Sequence, residues 1–322
     1  MKKTHFYTGL TVLIIIIAAL LYYRPFFKNE KPIAETILEP EWLVDDNGYL
    51  SYPLNREKVE FSRTNMENNG SVLVSKVIFR SRNGNIYGLL VMPTTADELL
   101  PGIVLLPGAG VSKESELALA KNIAQLDAAV LVLDQRGVGE TDGNFPTWDE
   151  DFASFSNNKE PYQHLMVYDA LRAYDLLDSA PFVDSERVII AGESLGGRIA
   201  VIAAALDRNI DGVLVISSSG FDFKDKGEPV KDRFFKSIDS DNYIGLITPR
   251  KIVMIHNLND TTIPLSSAVN SFDKAQDPKI FGLVNDTSCS HGYCDPMWPL
   301  IAEGLDYLVE IKSKTLISVP DK

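Results

Sequence analysis

The feature that most constrains this chain is a glycine-flanked serine placed between an apolar run and a helical pattern. Residues 187–207 read RVIIAGESLGGRIAVIAAALD, so a strand-like run leads directly into Gly192, Ser194 and Gly196. A very tight turn from strand to helix strains its central residue, and glycines on either side avoid collisions that a Cβ would cause. The pattern predicts an exposed Ser194 at a helix amino terminus, where unpaired N–H groups favour an anionic oxygen. The alternative is a Gly/Ser turn that matches by accident, and the flanking strand and helix patterns argue against it.

The remaining sequence alternates apolar runs with helical patterns. This alternation predicts an α/β fold, with a mostly parallel central sheet covered by helices on both faces. An Asn-Gly pair within residues 82–85 predicts a hairpin ahead of that sheet. The predicted strands occupy residues 102–106, 129–133, 188–191, 212–216, 251–256 and 279–284, and the predicted helices residues 114–126, 163–177, 195–206, 266–275 and 296–311.

The amino-terminal residues contain an uncharged apolar run over residues 6–23. A helix of 18 residues is about 27 Å long, close to the thickness of a bilayer core. The small residues Ala18 and Ala19 are followed by bulky residues and Arg24, which make a poor cleavage site. We therefore expect an uncleaved signal anchor rather than a removed signal peptide or a buried core helix, with the catalytic body outside the cytoplasm.

The chain divides into three predicted regions. Residues 1–27 are the membrane anchor, residues 28–74 a tether with the first strands, and residues 75–322 the catalytic domain. Two inserts, residues 141–162 and 217–245, interrupt the alternation of strands and helices. Both follow the carboxyl end of a strand, where open α/β sheets bind ligands, so we expect pocket walls or a small cap rather than ordinary surface loops.

The charge of the chain excludes one class of partner. The formal net charge is −13, and lysines and arginines outnumber acids in the first 31 residues, so the rest of the chain is more acidic still. An acidic body disfavours nucleic acids and anionic lipid surfaces as partners. No nucleic-acid-binding motif is present in the sequence either.

A serine nucleophile needs a histidine base and a carboxylate that orients it. The chain contains four histidines. His5 lies in the amino-terminal membrane segment. His164 lies in a predicted helix that precedes the strand–turn–helix at Ser194, here called the serine elbow, and His256 lies in or just after a predicted strand. His291 lies in a loop between the last predicted strand and the last predicted helix, where it would reach Ser194; the alternative is a solvated loop histidine.

The acid is expected between the serine and the histidine in chain order. Asp260 follows a predicted strand and precedes a predicted helix, which would bring its carboxylate close to the histidine loop. A helix cap or an Asx turn is the structural alternative for this residue. Asp222, after the preceding strand, is the second candidate for the acid.

The oxyanion requires two backbone donors. The N–H of Leu195 is one candidate, and the glycine-rich loop 107–110 (PGAG) offers the N–H of Ala109 as the second. A phosphate cradle is the alternative for this loop, but it lacks the Lys-Ser/Thr of a P-loop and the spaced glycines of a dinucleotide fingerprint.

These motifs together resemble the alpha/beta-hydrolase superfamily, in particular the dienelactone-hydrolase-like and prolyl-oligopeptidase-like serine hydrolases. The resemblance covers about residues 75–311 and is carried by LLPGAG, LDQRGVGETDG, GESLGG, HNLNDTTIP and SHGY. It implies that residues 134–137 form a structural turn. It also implies a full set of catalytic groups: Ser194 as nucleophile, Asp260 as acid, His291 as base, and Ala109 with Leu195 as the oxyanion hole.

The only two cysteines, Cys289 and Cys294, flank the predicted base. A disulfide between them would close a short loop, stabilise the fold by roughly 2 kcal/mol and restrict the approach of His291. Exported proteins keep such bonds, whereas two reduced thiols are the alternative in a cytosolic protein. A zinc site is disfavoured, because no fourth ligand is evident and His291 would be lost to Ser194.

The sequence as a whole predicts a membrane-anchored serine hydrolase. It would cleave a carboxylic ester through an acyl-enzyme intermediate, with a small acyl ester or a peptide as substrate and with no metal or organic cofactor. A serine peptidase or an acyltransferase would use the same triad. A catalytically silent hydrolase fold that serves as a binding module is a further alternative, although such a module has no need for the complete set of Ser, His and Asp.

Overall fold

The computed structural model describes residues 41–311. Its strands are β1 (Leu43–Val44), β2 (Leu50–Ser51), β3 (Phe61–Asn68), β4 (Val72–Ser81), β5 (Gly84–Pro93), β6 (Leu100–Leu106), β7 (Ala129–Leu133), β8 (Val183–Glu193), β9 (Gly212–Ile216), β10 (Lys251–Asn257) and β11 (Lys279–Val284). Its helices are α1 (Leu117–Ala124), α2 (Trp148–Ser156), α3 (Tyr162–Asp178), α4 (Leu195–Leu206), α5 (Pro229–Ser237), α6 (Leu265–Lys274) and α7 (Trp298–Val309).

Strands β3 to β11 form one sheet within the described part of the chain. Their order across the sheet is β11-β10-β9-β8-β6-β7-β5-β4-β3. The six strands β6 to β11 run parallel to one another, whereas β3, β4 and β5 form an antiparallel edge in which β5 pairs antiparallel with β7. The predicted mostly parallel sheet is therefore confirmed. The parallel register brings the carboxyl ends of β8, β9 and β10 to the same edge of the sheet.

The sheet is covered on both faces, as predicted. Successive side chains of a strand point to opposite faces, and in β6 Ile103 and Val104 accordingly belong to different core clusters. One cluster packs under α3 and α4, and the other under α1 and α7. Because both faces are buried, the central strands are apolar throughout, which explains why their sequence shows continuous rather than alternating hydrophobicity.

The predicted hairpin joins β4 to β5. Ser81 pairs with Gly84 across a two-residue turn, and Asn83 adopts a positive φ of 57°. Asparagine tolerates the left-handed region better than most residues, so the local sequence favours this reversal.

The two predicted inserts contain helices that the sequence pattern did not reveal. The first insert contains α2, which begins with a capping box in which Thr147 and Glu150 satisfy each other's backbone N–H groups. The second contains α5, with Pro229 in its first turn. Both helices are short and rich in charges and aromatic residues, so they lack the apolar periodicity that identifies longer helices.

The described part of the predicted tether lies against the catalytic body. The backbone N–H of Leu50 donates to the hydroxyl of Tyr243, and the hydroxyl of Tyr52 donates to the carbonyl of His164. The predicted anchor, residues 6–23, lies outside the described residues. Within residues 41–311, no helix is both long enough and apolar enough to cross a membrane.

Candidate active site

Ser194 lies at the sharp turn between β8 and α4. Its φ and ψ are 50° and −117°, outside the regions that serine ordinarily adopts. A Cβ at Gly196 would lie 2.1 Å from the carbonyl oxygen of Leu106, and one at Gly192 would lie 2.4 Å from the backbone of Gly196. Since neither position has room for a side chain, the two glycines are required by the close approach of helix and strands.

The three predicted side chains Ser194, His291 and Asp260 form a continuous hydrogen-bonded chain. The Oγ of Ser194 lies 2.8 Å from Nε2 of His291. The Nδ1 of His291 lies 2.9 Å from Oδ2 and 3.0 Å from Oδ1 of Asp260. The serine, the imidazole and the carboxylate come from the ends of β8, β11 and β10, which the parallel sheet brings together. This geometry allows the imidazole to take the hydroxyl proton while the carboxylate holds its other nitrogen.

The carboxylate of Asp260 is buried and held by its own loop. Its Oδ1 accepts the backbone N–H groups of Thr262 and Ile263 at 2.9 and 2.8 Å. The Asx turn that the sequence offered as an alternative is therefore present together with the contact to His291. Because Oδ1 bonds both the loop and the imidazole, the loop fixes the direction in which the carboxylate faces.

The second candidate for the acid, Asp222, lies elsewhere. Its Oδ1 accepts hydrogen bonds from Lys224 and Lys274 at 2.9 and 2.7 Å. These two ammonium groups hold the pKa of Asp222 well below its usual range. Within residues 41–311, the imidazole of His291 bonds to Asp260 and Ser194 and makes no hydrogen bond or ion pair with Asp222.

The other described histidines have structural roles. His164 is buried in α3 beside the hydroxyl of Ser237, and burial lowers its pKa to about 3. His256 is buried at the end of β10, with Nε2 2.9 Å from the carbonyl of Ile263, and burial lowers its pKa as well. His5 lies outside the described residues.

The predicted oxyanion donors lie beside the serine. Ala109 and Leu195 both line the cavity that contains Ser194. Leu195 is the first residue of α4, where backbone N–H groups have no partner within the helix. A side-chain hydrogen bond holds the loop before Ala109, because the amide of Gln135 donates to the carbonyl of Pro107 at 2.7 Å.

Residues 134–137 form a buried structural turn, as the family resemblance implies. Asp134 binds the backbone N–H and the ammonium group of Lys113, and Arg136 forms a two-pronged ion pair with Asp169. None of these contacts reaches Ser194, so this segment supports the site without facing it.

The loop that carries His291 is anchored on both sides. The structure contains a disulfide between Cys289 and Cys294. The side-chain amide of Asn257 donates to the carbonyl of Cys289 at 2.7 Å, and the hydroxyl of Ser217 donates to the carbonyl of Gly292 at 3.1 Å. With both sulfurs in one bond, the cysteines offer no thiolate to a zinc ion.

Glu193, the residue before the serine, connects the elbow to the same loop. Its Oε2 accepts the backbone N–H of Tyr293 at 2.7 Å. Its carboxylate also faces Glu116, and burial together with this negative neighbour raises the pKa of Glu116 to about 9. Glu116 therefore holds its proton more tightly than an exposed glutamate does, beside the carboxylate of Glu193.

Sequence reasoning missed Glu193, Ser217 and Asn257 as supports of the site. No short motif marks them, because each acts through side-chain contacts to the backbone of a loop that is distant in sequence. The one sequence feature that could have indicated them is their position. Each lies at or directly after the carboxyl end of a central strand, where open α/β sheets bind their ligands.

A cavity of about 300 Å³ opens beside Ser194. The first insert contributes Phe145, Pro146 and Trp148 to its wall, and the second contributes Ser219, Gly220 and Phe221. The expectation that the inserts wall a pocket is confirmed for these residues. Two other aromatic residues of the second insert, Phe234 and Tyr243, are instead buried in the core. The remaining lining residues are Ala109, Gln163, Met166, Leu195, Arg198 and Ile263.

The model of one family, acetyl xylan esterase (AXE1), matches residues 54–225. The matched segment includes the glycine-rich loop 107–110 and the turn that carries Ser194 but ends before Asp260 and His291. No curated protein sequence matches the chain significantly.

The fold is similar to those of several solved esterases. The acetyl xylan esterase from Paenibacillus sp. R4 is 21% identical, with a TM-score of 0.66 over 79% of this chain and 90% of the esterase. Acetyl xylan esterase 1 from Thermoanaerobacterium sp. JW/SL YS485 is 17% identical, with a TM-score of 0.63 over 80% of this chain and 89% of that one. The glucuronoyl esterase from Solibacter usitatus is 15% identical, with a TM-score of 0.57 over 83% and 88%. These similarities confirm the alpha/beta-hydrolase fold.

Proposed function

The chain belongs to the acetyl xylan esterase (AXE1) family, and we propose that Ser194, His291 and Asp260 carry the reaction of this serine carboxylesterase. The observation that supports these roles is the hydrogen-bonded chain from the Ser194 hydroxyl through the imidazole to the buried carboxylate, with contacts of 2.8 and 2.9 Å. A hydroxyl is a weak nucleophile, and a base at this distance would remove its proton as it attacks.

The reaction would proceed in two halves. His291 takes the proton from Ser194 as Oγ attacks the ester carbonyl, and the oxyanion accepts the N–H groups of Leu195 and Ala109. The imidazolium then protonates the leaving alcohol, and an acyl-enzyme remains on Ser194. Water, deprotonated by the same imidazole, attacks the acyl group and releases the carboxylic acid.

The substrate we propose is a short-chain acyl ester, in particular an acetyl ester of a carbohydrate. Two similar structures are named acetyl xylan esterases, as is the family. The cavity of about 300 Å³ has aromatic rings at its wall, including Trp148 and Phe221. Such rings offer flat apolar faces to a ring-shaped alcohol, whereas a peptide would need an extended cleft along the sheet edge.

A fluorophosphonate probe tests the nucleophile. We expect the probe to label the wild-type protein and to leave Ser194→Ala unlabelled, while Ser179→Ala at the end of α3 labels normally. Absence of labelling in the folded wild type would contradict the enzyme assignment, and labelling that survives Ser194→Ala would contradict the assignment of the serine.

Product analysis tests the substrate class. We expect release of acetate from acetylated xylan and from 4-nitrophenyl acetate, each abolished by Ser194→Ala. Cleavage of peptides at rates above those of the acetyl esters would favour a peptidase, and transfer of the acetyl group to an added alcohol in preference to water would favour an acyltransferase.

We also propose that residues 6–23 anchor the protein in a membrane with the catalytic domain outside the cytoplasm. The uncharged run of 18 residues supports the anchor, and a disulfide is kept in oxidising compartments. Fractionation of native-source cells tests this, with a chain lacking residues 1–27 as control. Recovery of the intact chain in the soluble fraction would contradict the anchor, and alkylation of both cysteines without reduction would contradict the oxidised loop.

A further inference from the structure

Arg198 contributes a buried positive charge to the wall of the cavity beside Ser194. It lies one turn along α4 from the serine and is only 8% exposed. Its Nη2 donates to the side-chain oxygen of Gln163 at 2.5 Å. Its Cζ lies 4.4 Å from the ring centroid of Phe221 and 5.5 Å from that of Trp148. All three partners are neutral, so the guanidinium has no direct counterion among them.

Within residues 41–311, no carboxylate oxygen lies within 4.0 Å of a guanidinium nitrogen of Arg198. Asp151 and Asp239 are near enough to influence its charge, but the carboxylate of each already accepts at least two backbone N–H groups. Burial lowers the pKa of Arg198 to about 10, which leaves it charged at neutral pH. Burying a charge without a bonded counterion costs free energy, and an anionic ligand that pairs with the guanidinium would offset that cost.

The side chain of Arg198 has donors beyond the one that binds Gln163. A guanidinium has five N–H donors, and within the described residues only Gln163 accepts a hydrogen bond from the guanidinium of Arg198. The side chain lines the same cavity as Ser194 and Leu195. An anionic group that enters this cavity would therefore meet unused donors in a water-poor site, where a charge-assisted hydrogen bond is strong.

We propose that the preferred substrates are esters that carry a carboxylate, which Arg198 binds while Ser194 attacks the ester carbonyl. This inference rests on the esterase function proposed above. A carboxylate matches the planar guanidinium, which presents two parallel N–H donors. The aromatic rings of Trp148 and Phe221, which are 44% and 39% exposed, offer faces to the body of the ester. The carboxylate belongs either to the alcohol, as in an acetylated sugar acid, or to the acyl group, as in a half-ester of a dicarboxylic acid.

Two matched pairs of esters distinguish these sources. On the alcohol side, 4-acetoxybenzoate is compared with its neutral methyl ester, methyl 4-acetoxybenzoate. On the acyl side, mono-4-nitrophenyl succinate is compared with methyl 4-nitrophenyl succinate. For each pair the measured quantity is the ratio of kcat/KM for the anionic ester to that for the neutral ester, so differences in overall catalytic efficiency between variants cancel.

We expect this ratio to fall at least tenfold from wild type to Arg198→Met in one of the two pairs. Arg198→Lys, which keeps the positive charge but lacks the two parallel N–H donors, should give an intermediate ratio. Arg187→Met should keep the wild-type ratio, because Arg187 lies within β8, pairs with Asp184 and does not line the cavity. A ratio that is the same in wild type and Arg198→Met for both pairs would overturn the proposal.

A competition experiment on the wild-type protein tests the same proposal even if Arg198→Met does not fold. In the wild-type protein, 4-hydroxybenzoate and succinate should slow fluorophosphonate labelling of Ser194 more than 4-hydroxybenzamide and succinamide do. Equal protection by acids and amides would overturn the proposal. A failure of the proposed esterase function would give a different result, because none of the four esters would then show hydrolysis that depends on Ser194.

Discussion

Glu193 accepts the backbone N–H of Tyr293 at 2.7 Å and thereby joins the residue before the proposed nucleophile to the loop of the proposed base. The two residues are 100 positions apart in sequence. The contact restrains the distance between Ser194 and His291, because each lies within two residues of one end of the bond. We regard Glu193 as a positioning residue for the reaction.

Glu193→Ala should lower kcat on the order of 10²-fold, since small displacements of a catalytic base have effects of this size. Glu193→Gln can still accept the Tyr293 N–H, so it should retain activity within a few-fold of wild type. The readouts are kcat and KM on 4-nitrophenyl acetate, with thermal unfolding as a check of the fold. A change in KM alone, or equal losses in the two variants, would contradict a positioning role.

Asp260→Asn should lower kcat on the order of 10³-fold to 10⁴-fold, because an amide at this position favours the wrong tautomer of the catalytic imidazole. The amide oxygen can still accept the N–H groups of Thr262 and Ile263, so the loop should fold. Asp222→Asn is the matched control and should change kcat little, since Asp222 pairs with Lys224 and Lys274. A larger loss in Asp222→Asn than in Asp260→Asn would reverse the assignment of the acid.

Glu116→Gln should remove one component of the pH dependence of stability. Burial and Glu193 raise the pKa of Glu116 from near 4.5 to about 9. Between these values the unfolded chain loses the proton and the folded chain keeps it, so the wild type loses stability as pH rises, by at most about 1.4 kcal/mol per pH unit. Below pH 4.5 both states are protonated and this contribution is constant.

Urea unfolding at pH 5, 7 and 9 measures this effect. The free energy of unfolding of Glu116→Gln should rise relative to that of the wild type over this range, because glutamine has no proton to lose. Parallel pH curves for the two proteins would mean that Glu116 ionises in the folded state as it does in the unfolded chain.

Reduction of the disulfide should destabilise the wild-type protein by about 2 kcal/mol, the value that loop-closure entropy gives for a short loop. The measurement is the shift of thermal unfolding on addition of a reductant. The double variant Cys289→Ser, Cys294→Ser contains no other cysteine and should not respond to the reductant. An equal shift in both proteins would show that the reductant acts elsewhere.

Much of the site follows from the sequence because its chemistry is local. The elbow is specified by neighbouring residues: Gly192 and Gly196 are small where helix and strands touch, and Ser194 is strained between them. The proposed base, His291, follows from elimination among four histidines and from its position after the last predicted strand. The parallel sheet follows from apolar runs that must be buried on both faces. These features depend on periodicity and chain order, which the sequence carries directly.

Tertiary structure decided the features that depend on contacts between distant segments. It placed Asp260 rather than Asp222 beside His291, since both follow a strand and only the path of the chain separates them. It joined Glu193 to Tyr293, and it enclosed Arg198 between rings from two separate inserts. Burial and pairing of a charge are properties of the folded packing, because the groups that exclude water or supply a counterion come from elsewhere in the chain.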